Sequence, residues 1–398
     1  MKQALRGEHQ IATKVVLLDT DFKEVEGGTI FSKDNTNEIT NFITDGNIDV
    51  DVERGTRRTA ELTLLNPSSE FTPATEDFKS EGPWVGLIYL NRLVRVYRGL
   101  YVGGTPEYVP VGTFMIDKAT VIAESNMSMV NLTMSDQWKR MSKSYADHVY
   151  NFPAGSWYVD IIETLLNDAG GYSAVNTAPK PIIDSLSGRD TADKKTSKVL
   201  TLEEGGSRGD FLKELVTTWD IDMYYNAMGG FRAEDRKSAA DKRSVWTFGT
   251  ADDPNHDSLL ISVTREFNDD NLYNHVIVVG GEEKNIIRKE KADVDPRSKT
   301  NIEKIGDRVW LIKDDKLDTN NKVQKALDRA WAVRFQLGET VQCETISNPA
   351  LEGDDVITIT DRNLAKIDGD YRLRRFTVPL VSSRQDIQAA NIIYEANL

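Results

Sequence analysis

Residues 46–73 read GNIDVDVERGTRRTAELTLLNPSSEFTP, and their spacing sets the fold class. Ile48, Val50 and Val52 alternate with Asp49 and Asp51, and Leu62 and Leu64 alternate with Glu61 and Thr63. A period of two puts apolar side chains on one face of a strand and polar ones on the other, so this stretch predicts two half-buried strands. Outward from it, the pattern runs from Lys14 to about Met141: Val94 and Val96 flank Arg95, and Met127, Met129, Leu132 and Met134 follow less strictly. Turn chemistry at Asp45-Gly46, Asn66-Pro67, Gly82-Pro83 and Gly103-Gly104 separates the runs. Short antiparallel strands closing into a barrel or sandwich are the expected result.

Around Phe152-Pro153 the period changes. Ser156 stands as an N-cap before Val159, Ile162, Leu165, Leu166 and Ala169, with Gly170 placed to end an amphipathic helix. A second helix starts at Ser207, supported by Asp210, and carries Phe211, Leu212, Leu215, Val216 and Trp219. Strands are expected at Met223–Tyr225 and Val245–Phe248, and the polar stretch Ser185–Ser197 reads as a mobile loop. Asn274–Val279 reads as a strand buried on both faces. Asn320–Leu337 has helical spacing stopped by Gly338, and strands follow at Val341–Ile346, Val356–Thr360, Tyr371–Phe376 and Ile387–Tyr394. The chain thus reads as mainly β with α+β character: a β domain over 1–146, a small α/β domain over 147–265, and a β domain with one packed helix over 266–398. No fixed period links the two β regions, which argues against a solenoid or propeller and leaves a divergent structural duplication open.

Composition narrows the function classes. At 398 residues the chain has room for two or three domains, and a net charge of −14 opposes phosphate binding by clustered Lys and Arg. Met1–Gln10 lacks the apolar core of a signal peptide, and Trp84–Leu90, the longest apolar run, is strand-sized, so no membrane insertion is expected. Cys343, the lone cysteine, excludes an intramolecular disulfide and fits a product of reducing cytoplasm. The four histidines, His9, His148, His256 and His275, have no metal-ligand spacing, and no Gly-x-Ser-x-Gly elbow occurs. Adjacent carboxylates at Glu203-Glu204, Asp269-Asp270 and Asp354-Asp355 could serve a polysaccharide hydrolase only across a cleft; solvated edges and turns explain them more simply. The run Asp314–Asn321 resembles a calcium loop but has Lys316 at a ligand position and lacks the turn glycine; an N-cap at Asp318 or Thr319 accounts for it. Gly27-Gly28, Gly205-Gly206, Gly229-Gly230 and Gly280-Gly281 complete no nucleotide fingerprint and read as turns, and the glycosylation match at Asn131 falls in an expected strand. Trp138, Trp157, Trp219 and Trp331 sit in or beside amphipathic segments, where packing outweighs the sugar stacking of a carbohydrate-binding adhesin. No catalytic, cofactor-binding or metal-binding residue is assigned, and no cofactor is expected.

Three segments in order resemble the tail hub, or baseplate hub, proteins of bacteriophages, often called minor tail proteins: residues 46–73; VPVGTFMIDKATV at 109–121 with NMSMVNLTMSDQWKRM after it; and TISNPALEGDDVITITD at 345–361 followed by DGDYRLRRFTV. In the third, Pro349 ends a strand, Gly353 is expected to take a positive φ and Asp354 to bond back to the turn. The resemblance implies a non-enzymatic virion protein with two tube-like antiparallel β-barrel domains flanking the α/β domain. It also implies a homotrimer whose six barrels form a ring at the tail tip, adapting the tail tube to the tip. The implied partners are the distal tail protein, tail tube, tape measure protein and tail fibre components, with host attachment and genome ejection as the processes served. DNA is then expected to pass through without specific binding, along an acidic lumen.

Overall fold

The computed structural model describes residues 10–32, 41–73, 86–125, 127–169, 195–219, 221–235, 242–267, 269, 272–281, 285–333 and 339–391. Expectations for His9, Gly82-Pro83, Trp84, Gly170, residues 185–194, Asp270, Leu337-Gly338 and residues 392–394 lie outside them. The first seven strands are β1 (Ile11–Leu18), β2 (Glu24–Ser32), β3 (Asn41–Asp51), β4 (Arg58–Leu65), β5 (Leu93–Val102), β6 (Thr105–Glu124) and β7 (Met127–Ser135). They are ordered β3-β2-β1-β5-β6-β7-β4, and β4 returns to β3. Alternation in the quoted stretch does what a period of two predicts: Ile48, Val50, Ala60, Leu62 and Leu64 are buried, while between them Glu61 is exposed and Asp49 and Thr63 are half-buried. Asp45-Gly46 is no turn. It lies inside β3, where the pairing with β4 slips between Ile43 and Asp45, a bulge.

The middle of the chain supplies α1 (Trp138–Ser142), β8 (Tyr150–Phe152), α2 (Tyr158–Asp168), β9 (Leu200–Leu202), α3 (Arg208–Trp219), β10 (Ile221–Tyr225) and β11 (Phe231–Asp235). Ile162, Leu165, Leu166, Leu212, Leu215 and Trp219 form its core, as the helical spacing requires. Ser207 caps α3 by accepting the Asp210 N–H at 3.1 Å. Ser156 does not cap α2: Trp157 holds the N-cap position, and the Ser156 hydroxyl donates to the Pro153 carbonyl at 2.7 Å.

A repeat hidden from sequence periodicity lies here. Residues 145–168 and 195–218 follow the same course of bridge, short strand, glycine turn and helix, with Gly155 and Gly205 at φ +88° and +79°. The copies clasp each other reciprocally, for Tyr145 bridges Ser207 while Trp157 bridges Lys195. Only a few apolar positions, such as Val149/Val199 and Leu165/Leu215, keep side-chain likeness, too few for a period to be read.

The remaining elements are β12 (Trp246–Gly249), β13 (Ser258–Phe267), β14 (His275–Gly280), β15 (Ile287–Ala292), α4 (Ile302–Ile305), β16 (Val309–Asp314), α5 (Asn320–Val333), β17 (Glu339–Ile346), β18 (Val356–Asp361), β19 (Ile367–Pro379) and β20 (Arg384–Asn391). Strands β14–β16 form a separate sheet covered by α5, with Val276 and Val278 against Val323, Leu327 and Trp331. Only that face of β14 is buried; His275, Ile277 and Val279 on the other stay half-exposed. Gly280 ends the strand where α5 begins its approach; a Cβ there would stand 2.1 Å from the Leu317 carbonyl oxygen and 2.8 Å from Val323. Gly280→Ala is therefore expected to cost about 1–3 kcal/mol, the usual range for overpacking, read as a lower urea midpoint at unchanged slope.

Strands β18-β12-β13-β17-β20-β19 close a six-stranded barrel through β18–β19. The circuits are neither purely antiparallel nor separate: β2–β3, β12–β13 and β12–β18 run parallel, and a β3–β19 pairing joins the two circuits into one sheet of 13 strands. They also share a plan. The chain β2-β3-β4-β7-β6-β5 is paired in the same senses as β12-β13-β17-β20-β19-β18, with β1 added in the first circuit. Even the bulges correspond, at Ile43/Asp45 and Leu260/Ser262, and at Ile116/Lys118 and Leu373/Arg375.

Candidate assembly interface

The seam between the circuits pairs Asn47–Asp51 of β3 with Arg375–Pro379 of β19. Cross-strand partners point to the same side. Ile48, Val50, Phe376 and Val378 therefore enter a single apolar cluster that runs through both barrels. The opposite side is polar across eight strands, in the order β13-β17-β20-β19-β3-β4-β7-β6. It presents Ser262 and Thr264, Gln342 and Glu344, Asp386 and Gln388, Arg375 and Thr377, Asn47 and Asp49, Thr59, Glu61 and Thr63, Asn131 and Thr133, then Lys118. An open cavity of about 550 Å³ lies on this face, lined by β13, β17, β20 and β19. Neutral hydroxyl and amide groups dominate the wall, with Glu344, Asp386, Asp49 and Glu61 outnumbering Arg375 and Lys118.

Charged groups fasten the seam at one end. Asp354 lies between Arg57 at 3.4 Å and Arg372 at 2.6 Å, all three largely buried. Burial raises the Asp354 pKa, but Arg372 and Arg57 outweigh it and leave the carboxyl below its ordinary range. Arg57 also stacks over Tyr224 at 4.2 Å, while Arg58 donates to the Tyr225 carbonyl at 3.1 Å and pairs with Glu352. The two segments 46–73 and 345–361 thus meet at their Arg-Arg and Glu-Gly-Asp residues, and β10 closes over them. Asp354, not Gly353, has the positive φ, +69°; a Cβ on Gly353 would stand 2.5 Å from Val52 of the neighbouring barrel, so glycine is required there for close approach. Asp136 accepts the N–H groups of Arg58 at 2.9 Å and Trp138 at 3.0 Å, and its complete burial pushes its pKa up to about 6.

At the other end Arg98, fully buried in β5, donates Nε to the Pro379 carbonyl and Nη2 to that of Ser382, both at 2.8 Å, and Nη1 to that of Gly99 at 2.9 Å. Burial lowers its pKa to about 9, which leaves it charged at neutral pH. Arg95, expected to face solvent between Val94 and Val96, is buried and donates to the Thr113 hydroxyl and the Met228 carbonyl. The signal for both was present in LVRVYRGLYV: the arginines are three apart and so lie on opposite faces, and each shares its face with apolar residues two positions away, Leu93 and Tyr97 for Arg95, Val96 and Leu100 for Arg98.

Other candidates are dispersed. His148 meets Asp147 at 2.9 Å, His275 meets Asp307 at 2.9 Å, and His256 contacts the Asp253 carbonyl. Glu203-Glu204 lies in an exposed turn, Asp269 pairs with Arg308 at 2.9 Å, and Asp355 accepts the Glu352 N–H at 2.8 Å. In the calcium-like run Asp314 accepts from Thr218 and the Lys316 N–H, Asp315 pairs with Lys198, and Thr319 caps α5 through the Lys322 N–H. Among the described residues no three His, Cys, Asp or Glu side chains are grouped to hold a metal ion. Trp138, Trp219 and Trp331 are buried in cores, and Trp157 is partly buried with Lys195 4.2 Å over its ring.

No protein-family model and no curated protein matches this sequence. Solved structures do. A tail protein from Neisseria meningitidis matches with a TM-score of 0.65 at 11% identity, over 97% of this chain and 99% of that one. The 43 kDa tail protein of prophage MuSo2 from Shewanella oneidensis matches with 0.63 at 10% identity, over 97% and 99%. The E. coli c3393 protein, a type VI secretion component similar in structure to the T4 tail proteins gp27 and gp5, matches with 0.51 at 7% identity, over 88% and 73%. The similarity spans both barrels and the middle of the chain at identities that carry fold alone, so this chain has the fold of phage tail and tail-hub-like proteins.

Proposed function

We propose that the chain is a structural, non-enzymatic subunit of a phage tail tip, a hub whose three copies set six barrels in a ring. The supporting observation is the eight-strand polar wall shared by two barrels of one plan: a single rigid sheet in which each copy supplies two like units. Such a ring places the wall toward its lumen, where hydroxyl and amide groups with a small acidic excess give passing DNA no cationic hold. In this reading residues 1–146, 147–265 and 266–398 supply the first barrel, the middle domain and the second barrel. Strands β12 and β13 join the second barrel by pairing although they start within 147–265. The middle domain is assigned to contacts outside the ring, with the distal tail protein or a fibre, and the ring faces to the tail tube and tape measure protein, in a virion assembled from protein made in host cytoplasm. Static light scattering on the purified chain tests the ring: three chain masses are expected, and a stable monomer absent from virions would end the proposal.

A further inference from the structure

The two barrels of one plan differ by an insertion. The first barrel joins β3 to β4 through residues 52–57, whereas their counterparts β13 and β17 are separated by residues 268–338, which carry β14–β16 and α5. The inserted unit has a core of its own, Val276, Val278 and Leu317 with the apolar side of α5, and no barrel side chain belongs to it. Since the first barrel closes without such a unit, the insertion serves something besides the barrel.

Its two edges are built differently. The order β15-β14-β16 leaves each outer strand one unpaired edge among the described residues. β15 reads IRKEKA, with Arg288, Lys289, Glu290 and Lys291 in succession, charges of the kind that keep an edge from pairing. β16 reads VWLIKD, an apolar run with no proline and no bulge against β14. The Arg308 N–H donates to Asn274 Oδ1 at 2.8 Å, and the Arg308 carbonyl accepts the N–H groups of Asn274 at 3.1 Å and His275 at 3.2 Å, so the backbone of Arg308 faces β14. Successive residues of a strand direct these groups to alternate sides, so Val309, Leu311 and Lys313 turn theirs to the outer edge. The side chains of the same three residues lie on the sheet face away from α5, where Val309 is 41% and Leu311 48% exposed beside the half-exposed Ile277 and Val279. Lys313 forms no ion pair among the described residues.

We propose that β16 is the docking edge for an extended strand of another protein, one with apolar residues at alternate positions and a carboxylate set to meet Lys313. The main chain of that strand pairs with the outward N–H and C=O groups of Val309, Leu311 and Lys313, and its apolar side chains cover Val309 and Leu311. Antiparallel self-pairing of β16 about Leu311 sets each Lys313 opposite a Val309 of the other copy and supplies no carboxylate, so a strand of different sequence fits the edge better. No residue of either barrel takes part, which makes the contact independent of the ring.

Fluorescence anisotropy of a labelled peptide, Glu-Thr-Val-Thr-Val, on the full-length chain tests the edge. Run antiparallel to β16, the peptide sets its glutamate opposite Lys313 and its valines opposite Leu311 and Val309. Saturable binding is expected. It should be about tenfold weaker to Leu311→Pro, which removes an outward N–H and no bond to β14, and to Leu311→Lys, which puts a guarding charge on the edge, with the circular dichroism spectrum of both variants unchanged. Exchanging the peptide's glutamate for lysine is expected to weaken binding to the parent chain about threefold, the size of an exposed ion pair, and to have no such effect on Lys313→Ala. Binding that is absent, or equal in the parent chain and both Leu311 variants, overturns the proposal. Self-association of the parent chain that Leu311→Lys abolishes assigns the edge to a second copy and overturns it as well.

Discussion

Asp354→Ala is expected to destabilise the fold by about 3–5 kcal/mol, the usual effect of removing one partner from a buried ion pair. The substitution leaves Arg57 and Arg372 facing each other without the carboxylate that lies 3.4 Å and 2.6 Å from them. Asp354→Asn keeps the side-chain shape and tolerates the positive φ, so most of the loss should persist in it if charge is the cause. Urea unfolding at neutral pH measures both variants. A loss under about 1 kcal/mol in each would show that the apolar cluster alone holds the seam. The pH dependence has a defined sign. A depressed carboxyl pKa contributes stability above its unfolded value and loses it as pH falls through the folded one, so the Asp354 contribution disappears below the ordinary carboxylate range. Asp136 acts in the opposite sense. Its folded pKa of about 6 exceeds the ordinary 3.8, so its share is complete below 3.8 and is lost as pH rises through about 6. The melting temperature should therefore rise on acidification from pH 7 to about 4.5, then fall, and the rise should be smaller in Asp136→Asn, where the raised carboxyls of Glu70 and Asp355 remain.

Arg98→Ala is expected to have an effect of similar size, about 3–5 kcal/mol, for a different reason. Three carbonyls, those of Gly99, Pro379 and Ser382, lose their donor inside the protein, and each buried unsatisfied acceptor costs about 1–3 kcal/mol before relaxation or water entry. Arg98→Met separates the causes by keeping much of the side-chain volume while removing every donor. Stability close to that of the parent protein in Arg98→Met would assign the site to packing. A loss near that of Arg98→Ala would assign it to hydrogen bonding across the barrels. Because Pro379 and Ser382 belong to the second barrel and Arg98 to the first, proteolysis at the β19–β20 turn should also quicken in both variants.

Local spacing carried many of the strands, the three long helices and most of their buried faces, because alternation and 3.6-residue periodicity are properties of neighbouring residues, but it left β8, β9, β11, β13, β15 and β16 unplaced. Ile48, Val50, Leu62 and Leu64, and Leu165, Leu166, Leu212 and Leu215, are buried as their spacing requires. The failures share a cause. Asp45-Gly46 became a bulge, Arg95 became an interior donor, and Asp354 took the strained φ in place of Gly353, each because a residue distant in sequence packs against it. Pairing partners, unlike periods, are long-range. Nothing near Asp49 specifies Thr377 as its neighbour. The mainly β character, the helices and the missing nucleotide and metal signatures could be read from 398 residues in order. That two barrels of one plan share a single sheet, and with it the seam and the wall, required the chain to fold, since each depends on which surfaces pack together and not on what any segment is.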